Sequence, residues 1–270
     1  MEATARTLAA IIDLARYPID ALETPGGRDL VARCRTELDV LGACDLEGFL
    51  LPHVAEAVVE WALTARASGY RTEASHTIYF DRPIGEDAPD GDPRRTVLHT
   101  AKLGLAYDQI PLDSPLRALY ESEELTTFLS RALDVQPLYR HADELGALNV
   151  MLYEPGDELG WHFDGADFVV TLMLQPAAAG GAFEFVPRLR TADDENPGGV
   201  NRLLAGAREG VHGMSAAPGT LALFRGHLSP HRVAPIEGPT PRVNAVLAYA
   251  DRPDAILSPE IRSLFYGRAN

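Results

Sequence analysis

The spacing of apolar residues changes at about residue 145, and this change constrains the fold more than any other feature of the sequence. Before it, apolar residues recur at three- and four-residue steps, as over 28–41, which is typical of amphipathic helices. After it come short apolar runs separated by Pro-Gly and Gly-Gly turn signals: LNVMLY, FVVTLMLQ, AFEFV, TLALF and RVNAVLAYA. Short strands at this spacing are typical of an antiparallel sandwich or barrel. The sequence therefore predicts an α+β chain with helices first and a sheet second.

A chain of 270 residues is an ordinary size for one large domain, and we expect a single domain over 1–270. Its expected parts are mainly helical support over about 1–144, a sheet core over about 145–250 and a C-terminal helix within 251–270. Helices are predicted over 28–41, 52–67 and 123–133, with another starting near 115. Pro52 and Pro259 fit the first turns of such helices, since proline is tolerated there.

The charge balance excludes several classes of partner. The chain has 24 Lys and Arg against 39 Asp and Glu, a formal charge of −15. Nucleic acids and anionic membrane surfaces are bound through clustered basic residues, so neither partner is expected. No apolar run approaches the ~18 residues of a membrane span, and the N-terminus lacks the pattern of a signal peptide. Cys34 and Cys44, in a predicted helical region, are expected to be reduced thiols of a cytoplasmic protein. Lys102 is the only lysine, which we attribute to codon bias.

The segment 160–165 holds the pair of residues that most directly indicates chemistry. His162 and Asp164 lie two apart in a strand-like context, so both side chains should face the same side of the sheet. Two polar groups on an apolar face are costly to bury, and a divalent metal would satisfy both. His-x-Asp is a weak signal alone, because it needs a third ligand from a distant strand. His231, which follows Pro230 at a predicted strand entry, is suitably placed.

Two further residues bear on this hypothesis, one as an alternative ligand and one as a binding group for an anion. His227 competes with His231 for the third ligand position, and we favour His231 because the alternation after it is strand-like. Arg242 opens the run RVNAVLAYA and should point into the same sheet. Two histidines and one carboxylate are the ligand set of non-haem Fe(II) oxygenases, and an arginine can hold a carboxylate through paired hydrogen bonds. The set predicts Fe(II) with 2-oxoglutarate at Arg242; a structural salt bridge is the alternative for Arg242 alone.

At these residues the sequence resembles the Fe(II)- and 2-oxoglutarate-dependent dioxygenases. The similarity is closer to a bacterial branch that contains free amino-acid hydroxylases and carrier-independent amino-acid radical halogenases. It is carried by 148–176, 180–187 and 218–249, with a weaker part at 106–122. The resemblance implies a double-stranded β-helix, or jelly-roll, core and O₂ as a second cosubstrate. It also implies a small-molecule substrate, a free or modified amino acid.

Within that branch, the resemblance implies that one position separates two reactions. Halogenases have Gly or Ala where hydroxylases keep the carboxylate ligand, because chloride then occupies the vacated position on the iron. This sequence has Asp164 at that position. The resemblance therefore implies hydroxylation, or another oxidation, rather than halogenation.

Several other residues are candidates for the site. Tyr153 resembles a tyrosine that contacts 2-oxoglutarate in related oxygenases, although a core tyrosine is equally expected. Asn244 shares the face of Arg242 and could bind the cosubstrate or the substrate, or be a satisfied core residue. Weaker candidates for holding charged groups of the substrate are Arg71, His76 and Glu144.

Two other functional classes stay open from the sequence. One is an oxygenase that acts on protein or nucleic acid, and the charge of −15 counts against nucleic acid. The other is a non-catalytic jelly-roll binding module, against which the complete ligand set and Arg242 argue. The sequence does not define the substrate, the carbon oxidised, the oligomeric state, or the choice among hydroxylation, desaturation and ring closure.

Overall fold

The computed structural model describes residues 8–80, 82–85 and 88–268. The α-helices in these ranges are α1 Pro25–Leu41, α2 Pro52–Ala65, α3 Pro115–Tyr120, α4 Glu123–Leu133, α5 Pro197–Leu204 and α6 Pro259–Tyr266. All but α4 begin at a proline, which the first turn accepts because its N–H groups have no partner within the helix.

The strands in the same ranges are β1 Ala43–Leu46, β2 Tyr70–His76, β3 Leu98–Leu105, β4 Tyr139–Arg140, β5 Leu148–Tyr153, β6 Glu158–His162, β7 Val169–Gln175, β8 Ala179–Gly180, β9 Phe183–Phe185, β10 His212–Gly213, β11 Leu221–Phe224, β12 His231–Val233, β13 Ile236–Glu237, β14 Arg242–Leu247 and β15 Tyr249–Ala250. The main sheet has the order β1-β11-β7-β14-β5-β3-β6-β12-β9-β10, with β2 paired to β3. Its pairs are antiparallel.

The sheet curls at strand β3, which pairs with a strand of each half. Its residues 103–105 pair with β5, and its residues 100–101 pair with β6. One half of the sheet, around β5, β14, β7 and β11, therefore folds over the other half, around β6, β12 and β9. This curled antiparallel sheet confirms the predicted jelly-roll core.

The alternation of side chains along β5 shows how the fold builds two compartments. Leu148, Val150 and Leu152 belong to the main core, where α1 to α4 cover the outer face of the sheet. Asn149 and Tyr153 point the other way, into the space between the two halves. Both faces are buried, which is why LNVMLY is an almost continuous apolar run. The inner face is left to line a cavity.

The N-terminal part contains more strand than predicted. The predicted helices are found as α1, α2, α3 and α4, but β1, β2 and β3 also lie in the region expected to be mainly helical. β1 pairs with β11, and its Cys44 is therefore in a strand rather than in a helical region. β2 reads YRTEASH and lies at an edge, so its own apolar pattern is weak and its pairing with β3 defines it. Within the described ranges, no helix is both long enough and apolar enough to cross a membrane.

Candidate active site

The three predicted metal ligands come together where β6 meets β12. His162 is the last residue of β6 and His231 the first of β12, and the two lie directly opposite each other in the pairing. The Nε2 atom of His162 is 3.7 Å from Oδ1 of Asp164, and Nε2 of His231 is 3.5 Å from Oδ2. The three ligand atoms lie within 4.8 Å of one another. The register of two neighbouring strands thus produces the cluster.

Backbone carbonyls orient both imidazole rings. The Nδ1 atom of His162 lies 2.8 Å from the carbonyl oxygen of Gly160, and Nδ1 of His231 lies 3.1 Å from that of Ser229. Because a carbonyl oxygen can only accept, each neutral ring donates through Nδ1. The lone pair on Nε2 then faces Asp164, which is the arrangement that metal-binding histidines require.

The protonation states also suit a metal. Burial, reinforced by the nearby His231, lowers the pKa of His162 well below its usual value, so its ring is neutral at neutral pH. Burial acts to raise the pKa of Asp164, but His231, His162 and Lys102 outweigh it, and the pKa lies below its ordinary value. Oδ2 of Asp164 is buried with no hydrogen-bond partner in the described structure. A neutral His162, the Nε2 of His231 and an unsatisfied buried carboxylate are a donor set that fits Fe(II).

His227 lies outside this cluster, and its neighbour Gly226 has a role that the sequence did not reveal. Nδ1 of His227 is 3.2 Å from the backbone oxygen of Asp164, so its ring contacts the main chain rather than the other ligands. A Cβ at Gly226 would overlap the Asp164 carboxylate and press on the His231 ring. The backbone N–H of Asp164 donates to the carbonyl of Gly226 over 3.2 Å. Only a glycine at 226 leaves room for the carboxylate.

Arg242 lies at the other end of the same space. It starts β14 opposite Tyr153 of β5, and its guanidinium donates to Oδ1 of Asn244. Its Cζ atom is 5.4 Å from the centre of the Tyr153 ring. The side chain is buried, its Nε has no hydrogen-bond partner, and no carboxylate of the described residues forms an ion pair with it. Among the described residues, Arg242 therefore does not form the structural salt bridge that was its alternative role. A buried cation without an ion-pair partner is stabilised by an anionic ligand.

Burial fixes the protonation state of the residues around Arg242. It raises the pKa of Tyr153 to about 12, so the phenol stays neutral and keeps its hydrogen as a donor. Burial also lowers the pKa of Arg242, but a guanidinium remains charged at neutral pH. Arg242, Tyr153 and Asn244, predicted from their spacing, are therefore brought together as a charged and hydrogen-bonding group.

One cavity of about 440 Å³ contains both the cluster of His162, Asp164 and His231, here called the metal cluster, and the Arg242 group. Its further polar lining includes Lys102, Asn149 and Tyr266, none of which was predicted. Its apolar lining includes Phe80, Met151, Leu159, Val169, Phe183, Val233, Val246, Leu257, Ile261 and Phe265. Lys102 comes from β3, and Ile261, Phe265 and Tyr266 come from α6. These elements are far in sequence from 160–165, so the spacing of residues around that segment could not reveal them.

The weaker substrate candidates are not brought into the cavity. The Arg71 side chain, 44% exposed, forms two hydrogen bonds of 2.9 and 2.5 Å with Asp157. Glu144 is exposed and does not line the cavity. Their placement does not support the predicted roles, because Arg71 already has an anionic partner and Glu144 faces solvent.

His76 has a supporting position instead of a substrate-binding one. Its two ring nitrogens lie 2.7 Å from the Thr77 carbonyl and 2.7 Å from the Thr100 hydroxyl, so neither is free for a substrate. Its ring stacks on Phe80 at 4.0 Å, and Phe80 meets His162 edge-on at 4.9 Å. His76 thus supports Phe80, which in turn packs against His162.

Comparisons with known proteins agree with this fold. A sequence profile of the family described as HalD: Halogenase D matches residues 107–260, more than half of the chain. None of the curated protein sequences matches this chain. Among solved structures, a 2OG-Fe(II) oxygenase family oxidoreductase from Burkholderia pseudomallei aligns at 14% identity and a TM-score of 0.52, over 83% of this chain and 92% of that one.

Two further structures are similar. AviO1 from Streptomyces viridochromogenes Tue57 aligns at 20% identity and a TM-score of 0.54, over 81% of this chain and 94% of its own. The epimerase SnoN, solved with Fe³⁺, alpha ketoglutarate and nogalamycin RO, aligns at 15% identity and a TM-score of 0.55, over 83% of this chain and 84% of its own. At these identities the likeness shows a shared fold, that of the 2OG-Fe(II) oxygenases.

Proposed function

Because the chain belongs to the halogenase D family and has the fold of the 2OG-Fe(II) oxygenases, we propose that it is an Fe(II)- and 2-oxoglutarate-dependent oxygenase. The observation that carries this proposal is the meeting of His162, Asp164, His231 and Arg242 in one cavity. Among the described residues, Oδ2 of Asp164 has no hydrogen-bond partner and the Arg242 guanidinium has no ion-pair partner, so a cation at one end of the cavity and an anion at the other would satisfy both groups.

Each group has a defined task in this proposal. Nε2 of His162, Nε2 of His231 and the Asp164 carboxylate would hold Fe(II). Arg242 would bind the distal carboxylate of 2-oxoglutarate, with Tyr153 and Asn244 as hydrogen-bonding neighbours. When bound with 2-oxoglutarate and O₂, the metal supplies an oxidant able to attack an unactivated C–H bond, with succinate and CO₂ as by-products.

The protein's own contribution is to orient the reactants and exclude water. The carbonyls of Gly160 and Ser229 fix the ligand rings before any metal arrives. The Arg242 group fixes one end of the cosubstrate, and thereby the position of its other end relative to Asp164. Apolar side chains such as Phe80 and Phe183 line the remaining space, which limits access of water to a reactive centre.

We infer oxygenation rather than halogenation, although the family description names a halogenase. The Asp164 carboxylate fills the space up to Gly226 and would take one coordination position with a negative charge. A halide would have to displace that carboxylate. The product made by the wild-type enzyme in high chloride, identified by mass spectrometry, tests this, and incorporation of chlorine would refute it.

The proposed substrate is a small molecule, a free or modified amino acid, as in the bacterial branch that the sequence resembles. A cavity of about 440 Å³ suits a molecule of that size. A protein substrate is the alternative, and no feature of the described surface specifically favours it.

The decisive experiment measures succinate from 2-oxoglutarate with anaerobically reconstituted enzyme after O₂ is admitted. The panel contains the free amino acids, their N-acetyl derivatives and peptides that contain them. We expect slow Fe(II)-dependent succinate formation alone and a clear increase with the right substrate, whose mass rises by one oxygen. Absence of Fe(II)-dependent turnover of 2-oxoglutarate, with and without the panel, would refute the proposed function.

A further inference from the structure

The only lysine of the chain lies in the cavity beside the metal cluster. Lys102 belongs to β3, the strand on which the sheet curls, and its side chain is 8% exposed. Its Nζ lies 4.6 Å from the centre of the Phe265 ring of α6, and no carboxylate in the described ranges forms an ion pair with it. Burial lowers the pKa of Lys102 to about 8, while Asp164 acts to raise it, so the amine is mainly protonated at neutral pH.

The two cations of the cavity lie on different walls. Arg242 lies beside Tyr153 and Asn244, where β14 pairs with β5. Lys102 lies on β3, separated from β14 by β5 in the sheet, and its Nζ contacts the Phe265 ring. In the proposed function both carboxylates of 2-oxoglutarate are already bound, one at Arg242 and the other at the metal, so Lys102 has no anionic partner.

A count of the charges in the cavity with Fe(II) and 2-oxoglutarate bound also leaves Lys102 without an anionic partner. The two positive charges of Fe(II) and the one of Arg242 are matched by Asp164 and the two carboxylates of 2-oxoglutarate. The positive charge of a protonated Lys102 then has no match among these groups, and a buried unmatched charge is unfavourable. The missing partner is one negative charge, and the substrate is the remaining molecule that can bring it.

The rest of the cavity limits what else the substrate can carry. Among the described lining residues, Asp164 is the one carboxylate, so a substrate ammonium would have no anion of its own. Oδ1 of Asn149 is a buried acceptor without a partner among the described residues, while its Nδ2 donates to the Tyr266 hydroxyl over 3.1 Å. A neutral acceptor of this kind suits the N–H of an amide.

We propose that Lys102 binds the carboxylate of a substrate with one net negative charge, namely an N-acylated amino acid with an apolar side chain. This inference rests on the proposed function and narrows its substrate class. Lys102 pairs with the carboxylate, Asn149 accepts from the amide N–H, and the apolar lining contacts the side chain and the acyl group. Zwitterionic and basic amino acids are disfavoured because each brings an ammonium that the cavity does not neutralise.

The test varies the charge of the ligand on one skeleton. The probes are N-acetyl-leucine (anion), leucine (zwitterion), leucinamide (cation), N-acetyl-leucinamide (neutral) and 4-methylpentanoate (an anion without the amide), with matching phenylalanine and methionine series. Binding is measured without O₂ as the rise in melting temperature of enzyme loaded with Fe(II) and 2-oxoglutarate, and turnover as probe-dependent succinate. We expect the N-acetyl anions to bind most tightly, ahead of the simple carboxylates, which lack the amide for Asn149.

Substitutions at Lys102 test its role directly. Lys102→Met keeps the aliphatic length and removes the charge, and we expect it to raise the KM for the best N-acetyl anion at least about 30-fold. The neutral N-acetyl amide should bind both forms equally, which a merely structural effect would not produce. Lys102→Arg should retain part of the preference. Arg66→Met, which removes an exposed charge paired with Glu154 at 3.6 Å, is the control and should behave as wild type.

The outcomes separate the two proposals. Tighter binding of the zwitterion or the cation, equal binding of N-acetyl anion and N-acetyl amide, or failure of every N-acetyl anion to bind would overturn the role of Lys102. A raised KM for 2-oxoglutarate in Lys102→Met, with unchanged binding of the N-acetyl anion, would also overturn it, because Lys102 would then bind the cosubstrate rather than the substrate. Fe(II)-dependent succinate formation without any probe reports on the proposed function alone.

Discussion

At the scale of single residues, the group that Nε2 faces distinguishes the proposed ligand histidines from His227. Nδ1 of all three rings contacts a backbone carbonyl oxygen, but it is Nε2 of His162 and of His231 that lies beside the Asp164 carboxylate, and His227 is not part of that cluster. We therefore expect His162→Ala and His231→Ala to lose stoichiometric Fe(II) binding and Fe(II)-dependent succinate formation. His227→Ala is the matched control and should keep both. Equal losses in His227→Ala and His231→Ala would contradict this assignment.

Gly226 provides a second prediction at this scale. A Cβ there would overlap the Asp164 carboxylate, which must then move away from the position that faces both histidines. We expect Gly226→Ala to weaken Fe(II) binding at least tenfold, because the carboxylate ligand is displaced. Gly165→Ala is the control, since a Cβ at 165 meets nothing within 4 Å. Fe(II) titration of both variants measures the difference, and equal affinities would show that the carboxylate does not need this space.

The residues of the site differ in how far the sequence could reveal them. His162 and Asp164 share one strand, so alternation alone puts them on one face. His231 and Arg242 required an assumption about which strands are neighbours, and the pairings with β6 and β5 supply it. We attribute the scarcity of lysine to codon bias, so the sequence does not single out Lys102 as a site residue. Its place in the cavity depends on β3 pairing with both halves of the sheet.

At the scale of secondary-structure elements, one buried aspartate ties α6 to the loop before β5. Asp143 accepts hydrogen bonds of 2.9 Å from the N–H of Leu145, 2.8 Å from that of Gly146 and 2.9 Å from that of Leu257, and 2.8 Å from Nε of Arg262. Leu257 and the α6 residue Phe265 line the cavity. We expect Asp143→Ala to destabilise the protein by about 3 kcal/mol, because it leaves Arg262 and buried N–H groups without this acceptor. Thermal unfolding measures the loss, and faster amide exchange over 257–266 locates it.

The same interaction predicts a pH dependence. Burial acts to raise the pKa of Asp143, but the hydrogen bonds from Gly146, Leu145, Leu257 and Arg262 outweigh it, and the pKa lies below its usual value. Since the folded-state pKa is the lower one, the stabilisation is present above the pKa of the unfolded chain, about 4. It is lost as the pH falls through the folded-state pKa. The difference in stability between wild type and Asp143→Asn should therefore shrink below pH about 4, and a constant difference would contradict this explanation.

In the N-terminal part of the chain, helices were easier to predict than strands because their signals are local. α1 combines a regular apolar stripe with a cap from Thr24 and a Gly42 in the left-handed region, all visible in the sequence. β1 is only four residues long, and β2 alternates without a strong apolar face. Both are stabilised by pairing with β11 and β3, far away in the chain. Non-local pairing of this kind is not visible in a local window.

At the scale of the whole molecule, α1 to α4 cover the outer face of the curled sheet, and the inner face, together with residues of α6, lines the site. The proposed iron ligands come from the half that contains β6 and β12, while Arg242 and Tyr153 come from the half that contains β14 and β5. Fe(II) alone can therefore contact one half through its protein ligands. The cosubstrate, held at Arg242 and directed at the metal cluster, would join both halves.

This division leads to a prediction about stability. A ligand that binds only the folded state at a hundred times its Kd adds about 2.7 kcal/mol, which for a chain of this size is a rise in Tm of roughly 5 °C. Without O₂, we expect 2-oxoglutarate to give such a rise only when Fe(II) is present. In Arg242→Met, Fe(II) should still raise the Tm, but the increment from 2-oxoglutarate should fall to about 1.5 °C or less at the same concentration, because losing the charged contact costs about 2–5 kcal/mol. In His231→Ala both increments should be lost. A 2-oxoglutarate increment that survives undiminished in Arg242→Met would mean that another group joins the cosubstrate to this half of the sheet.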